Sequence, residues 1–194
     1  MREHRCIGWL TIISLIIALA VLGSGNRGQE LIDVTLIQTL GVDGPGPVTL
    51  TAVAPADQEN PPQHYRTRGH DLAQAREGLK ELGDTRLEVT HVARLVLGAD
   101  AKVEETLWEE LNDRASGCDA RVWLTDGESA AELLEHIYEP CKRLKAMEEN
   151  GSTKAPTLLE ALSTLTREGQ VTLPVLERQG DKLMVTGTQI IKEG

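Results

Sequence analysis

The chain opens on an uninterrupted apolar run, Ile7 to Gly23 (IGWLTIISLIIALAVLG), with no charged residue inside it. Past Ser24–Gln29 (SGNRGQ), a polar, glycine-rich exit, the pattern changes. Apolar positions now come either in short β-branched and aliphatic runs or at helical spacing, and each type predicts an element. Leu31 to Val42 (LIDVTLIQTLGV) reads as one strand and Val48 to Ala54 (VTLTAVA) as a second. The intervening Asp43-Gly44-Pro45-Gly46-Pro47 is turn chemistry, so the pair forms a hairpin. Pro55 to Arg68 is polar, contains Pro61-Pro62 and reads as a loop.

Asp71 is placed to cap a helix running to about Leu82, with Leu72, Ala75, Leu79 and Leu82 on one face and Gly83 at its end. His91 to Gly98 (HVARLVLG) reads as a buried strand. Ala101 to Asp113 is a helix with an apolar stripe of Val103, Leu107, Trp108 and Leu111. Ala120 to Thr125 is a strand. Ser129 to Tyr138 is a helix, and Ser129 with Glu132 has capping-box spacing. Pro140 interrupts, and a charged helix follows to about Glu149. Asn150-Gly151-Ser152 is a turn that also matches a glycosylation sequon. Thr157 to Thr166 is an amphipathic helix ending near Gly169. Two strands, Val171 to Arg178 and Lys182 to Ile191, close on a Gln179-Gly180-Asp181 turn. The order β-β-α-β-α-β-α-(α)-α-β-β predicts an α/β (α+β mixed) fold, a single mixed β-sheet flanked by helices and preceded by one transmembrane helix. The last hairpin either starts a second subdomain or adds to a sheet edge.

Arg2, His4 and Arg5 stand before the apolar run, as in an export signal. A bilayer core needs about 17–25 apolar helical residues, and Ile7–Gly23 is at the short end. It reads as a cleaved signal or a retained anchor, and Ala18-Leu19-Ala20 offers small residues for cleavage. Basic residues on the near side keep residues 1–6 in the cytoplasm. The expected organisation is therefore a transmembrane segment at 7–23, a linker at 24–30 and an extracytoplasmic domain over 31–194. The formal charge of -10 excludes a nucleic-acid partner, which requires a basic face. It also argues against binding an anionic membrane surface through the domain. Aromatic residues make up only 3% with no Phe, so Leu, Val, Ile and Ala must build the core.

Candidate chemistry is sparse. Cys6 precedes the apolar run, and Cys118 and Cys141 read as separate, partly buried thiols or as a disulfide. Gly23, Gly25 and Gly28 spell G-x-G-x-x-G but follow no strand and open no helix, so no dinucleotide site is expected. Gly127-Glu128-Ser129-Ala130-Ala131 follows a strand and opens a helix like a nucleophile elbow, with Ala131 where a glycine belongs. A Ser129 hydrolase with His91 or His136 is the enzymatic alternative; capping already accounts for Ser129. His64, His70, His91 and His136 have no metal-ligand spacing, and His91 reads as a hydrogen-bonded structural histidine. Glu104-Glu105, Glu109-Glu110 and Glu148-Glu149 read as solvated helix faces.

Four stretches together resemble the N-terminal domain of the Ger(x)C family, the C subunits of bacterial spore germinant receptors. QELIDVTLIQTLGVD (Gln29–Asp43) is similar to the family's opening, an acidic-Leu pair (Glu30-Leu31) leading to Gly-x-Asp (Gly41-Val42-Asp43). Leu72–Asp100 resembles its helix and Gly-His strand, with His91 at the histidine and Thr90 in place of the glycine. Val122–Glu135 is similar to its strand, glycine turn and Ala-x-x-Leu helix. Ala155–Gly194 resembles its helix, Leu-Pro strand (Leu173-Pro174) and strand opening at Gly187. The resemblance covers nearly all of the chain past Gly25. It implies a non-enzymatic, membrane-anchored component of a spore germinant receptor. Such a component contacts the integral-membrane A and B subunits and has no cofactor, catalytic residue or metal ligand to carry over. Family members usually bear a lipidated cysteine after the leader; Gly25 stands there, followed by Asn26 instead of Trp. The anchor at 7–23 is therefore expected to be retained. Family members also continue into further domains beyond the position matching Gly194. An unrelated cell-envelope binding module is the other alternative.

Overall fold

A computed structural model of the chain describes residues 34–193, apart from residues 59, 83–85, 113–116 and 152. The expected anchor at 7–23, the linker at 24–30, the Gly23-Gly25-Gly28 pattern and the Gly83 cap lie outside the described residues. Among the described residues the chain forms β1 (Val34–Leu36), β2 (Thr39–Asp43), β3 (Val48–Ala54), β4 (Gln63–Gly69), α1 (Leu72–Lys80), β5 (Arg86–Glu88), β6 (Arg94–Leu97), α2 (Val103–Asn112), β7 (Arg121–Thr125), α3 (Ala130–His136), α4 (Pro140–Glu149), α5 (Leu158–Glu168), β8 (Gln170–Gln179) and β9 (Lys182–Lys192).

Seven strands form one mixed sheet in the order β4-β3-β2-β6-β7-β8-β9. Its centre, β2-β6-β7-β8, is parallel, and antiparallel partners flank it: β3 and β4 at one edge, β9 at the other. Alternation along the central strands sends side chains to two buried faces. Leu40, Val42, Leu50, Ala52, Leu95, Leu97, Val122 and Leu124 share one core with Leu72, Ala75 and Leu79 of α1, Leu107 of α2, and Leu158, Leu162 and Leu165 of α5. On the opposite face Val53, Val96, Trp123 and Leu176 pack with Ala130, Leu133 and Leu134 of α3 and Cys141 and Leu144 of α4. Each fully buried Leu contributes about 1.5–3 kcal/mol of transfer free energy. The mixed sheet with helices on both faces agrees with the architecture read from the sequence. No helix among the described residues is long and apolar enough to cross a membrane.

Three segments depart from the sequence expectations. The single strand expected over Leu31–Val42 is broken at Ile37-Gln38. β1 pairs in parallel with β5, Leu36 opposite Glu88, whereas β2 pairs with β6, Thr39 opposite Arg94. Three steps along one strand (36 to 39) thus face six along the other (88 to 94). One continuous ladder cannot absorb that difference, so the pair breaks into a two-stranded spur and the main sheet. Gln38 marks the joint, its carbonyl accepting N–H bonds from both Ala93 and Arg94. The strand expected from His91 begins only at Arg94, and His91 is an exposed residue in the turn before it. The loop expected through Arg68 contains β4. Its apolar signal is thin because it is an edge strand. Tyr65 packs towards the core, while His64, Arg66 and Arg68 point outward.

The helix ends follow local chemistry. The Asp71 carboxylate accepts the Gln74 N–H at 2.8 Å. Ser129 Oγ accepts the Glu132 N–H at 3.1 Å. Thr157 and Glu160 form a complete capping box, and Gly169 ends α5 at φ +66°. Pro140 starts α4 rather than merely interrupting a helix, with Glu139 before it in the left-handed region at φ +52°.

Candidate functional site

In parallel sheets covered by helices, ligands and catalytic groups gather beyond the carboxyl ends of the strands. Here that edge is formed by the ends of β2 and β6 and the β7–α3 turn, and one side chain organises it. The Asp43 carboxylate accepts backbone N–H bonds from Ala130 at 2.5 Å and Ala131 at 2.9 Å, one on each oxygen. These donors open α3, where unpaired N–H groups and the helix dipole favour an anion. Ser129 satisfies a third donor on the same turn. Burial pushes the Asp43 carboxyl above its usual range; the Ala131 and Ala130 N–H groups and Arg66 pull it down, and Asp100 pushes it up.

Two glycines make the approach possible. A Cβ on Gly98 would lie 1.9 Å from Asp43 Oδ1, so β6 can pass this carboxylate only without a side chain. A Cβ on Gly41 would lie 2.8 Å from Leu134 Cδ1 and 3.2 Å from Ala130 Cβ, so α3 rests directly on the β2 backbone. The turn before α3 is tied down from both sides. Thr125 Oγ1 donates to the Glu128 carbonyl, and Arg178 of β8 donates to Glu128 Oε1 at 3.1 and 3.2 Å. Both Asp43 oxygens are occupied by the protein's own backbone. The group latches α3 to the sheet.

A second polar cluster lies on the same face. Arg94, buried on β6, forms a bidentate pair with Glu148 of α4 at 2.8 and 3.1 Å. Cys141 lies beside Thr39, with Sγ 3.3 Å from Oγ1. Burial pushes the Cys141 thiol up despite Thr39 and Arg94, which keeps it protonated at neutral pH. On the other face Arg76 of α1 forms a buried ion pair with Glu110 of α2. Arg76 also borders a cleft of about 740 Å³ between α1 and β5, lined by Ala73, Leu79, Leu87 and Val89. Two of the acidic pairs read as solvated faces are therefore partly structural. Glu110 is fully buried and Glu148 holds Arg94, because each faces an inward arginine from another element. No long-range arginine partner can be read from a local charge run.

The remaining sequence candidates are scattered. Ser129 and His136 cap opposite ends of α3, seven residues and so about 10 Å apart along the axis. His136 Nδ1 bonds the Glu132 carbonyl at 2.8 Å, within its own helix. His91 is exposed and lacks the buried setting expected for it. His64 lies opposite Val53 on β4; its side chain is exposed, and partial burial of the ring lowers its pKa below 6.5 although Glu135 raises it. His70 is exposed beside the α1 cap. Cys118 and Cys141 are free thiols, the first exposed and the second buried. Among the described residues no group of three or more His, Cys, Asp or Glu side chains is arranged to hold a metal ion. The latch is not legible in the sequence, where Gly41, Asp43 and Gly98 stand only as parts of motifs with no sign that they meet α3. Comparison of the chain with protein-family models, with curated proteins and with solved structures finds no match.

Proposed function

We propose that this protein is a non-enzymatic, membrane-anchored component of a spore germinant receptor. A retained Ile7–Gly23 helix holds its folded domain on the extracytoplasmic side, against integral-membrane A and B subunits. One observation supports the reading above the others. Residues from three of the four stretches that resemble the Ger(x)C family, Gly41 and Asp43, Gly98, and Ala130 to Leu134, form one contact set at the carboxyl edge of the sheet. Separate weak motifs that serve a single joint are what a shared fold requires. The latch also leaves the carboxylate and the α3 N-terminus engaged with each other, which fits a scaffold role.

The test is genetic and biochemical. Deleting the gene in the sporulating host should abolish or slow germinant-triggered loss of spore refractility. Cross-linking in spore membranes should recover the A and B subunits. A host that does not sporulate, or spores that germinate normally by every germinant route, would sink the proposal. Mass spectrometry of the membrane-extracted protein should find the Ile7–Gly23 segment intact; a mature N-terminus near Val21 or Ser24 removes the anchor. The hydrolase alternative has its own arm. Ser129→Ala should cost about 1 kcal/mol through the lost cap and leave no ester hydrolysis to lose. Hydrolysis by the parent protein that disappears in a folded Ser129→Ala variant would put the enzyme in place of the receptor component.

A further inference from the structure

The two edges of the sheet are managed differently. At one edge β4 follows Pro61-Pro62 and carries Arg66 and Arg68 outward, charges that discourage a further strand. At the other, β9 has no partner on its outer side among the described residues. It is the longest strand, and its charged residues, Lys182 and Lys192, stand only at its ends. A bulge falls where the β8 pairing shifts between Val175 and Leu176, with Gly187 opposite Val175 and Val185 opposite Leu176, so Thr186 is the extra residue. Beyond it runs a regular, uncharged stretch, Gly187 to Ile191 (GTQII). Thr186 to Ile190 are all exposed, and Ile190 is 58% exposed. A bare row of backbone donors and acceptors beside β-branched side chains is a template for another strand.

We infer that the outer edge of β9 pairs antiparallel with β9 of a second copy of this chain, about a two-fold axis at Gln189. The bulge at Thr186 and the charges at Lys192 and Glu193 delimit the segment, and Gln189 is the midpoint of Gly187–Ile191. In that register Thr188 faces Ile190 of the partner subunit, Gly187 faces Ile191 of the partner subunit, and the two Gln189 amides face each other. Lys192 falls opposite Thr186 of the partner subunit, so no like charges are opposed. Centring the axis on Gly187 instead would set Lys182 against Lys192 of the partner subunit. The pairing covers Ile190 and is isologous, so it closes at two copies; the charged β4 edges remain outside and do not propagate it. A strand edge alone buries less than the roughly 1,600 Å² of a standard interface, so the dimer is weak and concentration-dependent. The inference stands independently of any role in germination.

Register-specific disulfide trapping tests it on the full chain in detergent micelles. Cys6→Ser and Cys118→Ser remove background thiols and leave the buried Cys141. Directly opposed residues of antiparallel strands have Cα atoms about 4.5–5.5 Å apart, within the range of roughly 4.4–6.8 Å that a disulfide spans. Gln189→Cys should therefore form a covalent dimer under mild oxidation. Thr186→Cys should not, because its two copies would lie about 20 Å apart along the pair. Adding Thr188→Lys with Ile190→Lys, which opposes like charges, should reduce the Gln189→Cys yield at least tenfold. Both positions are exposed, so the urea midpoint of the monomer should stay unchanged. Equal yields at 186 and 189, no dimer at either at the highest soluble concentration, or a yield unaffected by the paired lysine substitutions would each overturn the inference.

Discussion

Gly98 and Asp43 make the sharpest case at the scale of single residues. The carboxylate occupies the space a side chain on Gly98 would need. Gly98→Ala should therefore destabilise the protein by about 1–3 kcal/mol, as overpacking does. Gly78 is the useful contrast. It lies inside α1, where a new Cβ would sit 3.4 Å from Thr67 Cβ, an ordinary contact. Gly78→Ala should stabilise by about 0.5–1 kcal/mol, because alanine removes the helix penalty of glycine. Opposite shifts in the urea midpoint for these two substitutions would confirm the reasoning, and equal shifts would refute it. His64 gives a pH signature. Partial burial of its ring holds the folded-state pKa below 6.5, so the unfolded chain binds this proton more tightly. The stability is present above about 6.5 and is lost as pH falls through the folded value. His64→Gln should reduce the fall in urea midpoint between about pH 7.5 and about pH 5; an unaltered pH dependence would refute this.

Between elements, the decisive contacts are ion pairs that no local pattern announces. Arg76 and Glu110 join α1 to α2 beneath the surface. Arg76→Leu, which takes the opposite charge away from the buried Glu110 carboxylate, should cost about 3–5 kcal/mol. Replacing both, Arg76→Leu with Glu110→Leu, should recover most of that loss, since the pair's attraction is offset by its desolvation. A double variant no more stable than Arg76→Leu alone would show that the pair does more than neutralise itself. Arg94 and Glu148 play the same part for β6 and α4, through two parallel bonds. The caps at Asp71 and Ser129, by contrast, were legible from sequence, because capping depends only on residues within one turn; Thr157, expected only as the start of its helix, also accepts the N–H three residues on.

Across the described residues, the centre of the sheet is sealed on both faces, and its exposure is concentrated at its edges. The parallel centre is covered by α1, α2 and α5 on one side and by α3 and α4 on the other. Among the described residues, large apolar side chains stay open at Met184 and Ile190 of β9, at Trp108 of α2, at Tyr138 and Leu159, and on the spur of β1, whose Val34 and Leu36 are half exposed. Trp108 belonged to the apolar stripe expected for α2; Leu107 turns fully inward while Trp108 stays at the surface. An amphipathic stripe gives a helix its buried side but not the width of the surface that will cover it.

The sequence by itself determined the type and order of most elements, the mixed α/β class and the caps at Asp71 and Ser129. Those follow from periodicity and from interactions spanning a few residues, which a linear reading contains. It missed β4 and β5 and ran β1 into β2, because an edge strand and a short spur need little apolar signal and take their definition from a partner. Only the tertiary structure decided that Asp43 holds α3, that Gly98 exists to let it, that Glu110 and Glu148 belong to arginines on other elements, and that His91 stands in solvent. These are contacts between residues distant along the chain. Their energies depend on which elements become neighbours, and that is fixed by the packing of the two cores.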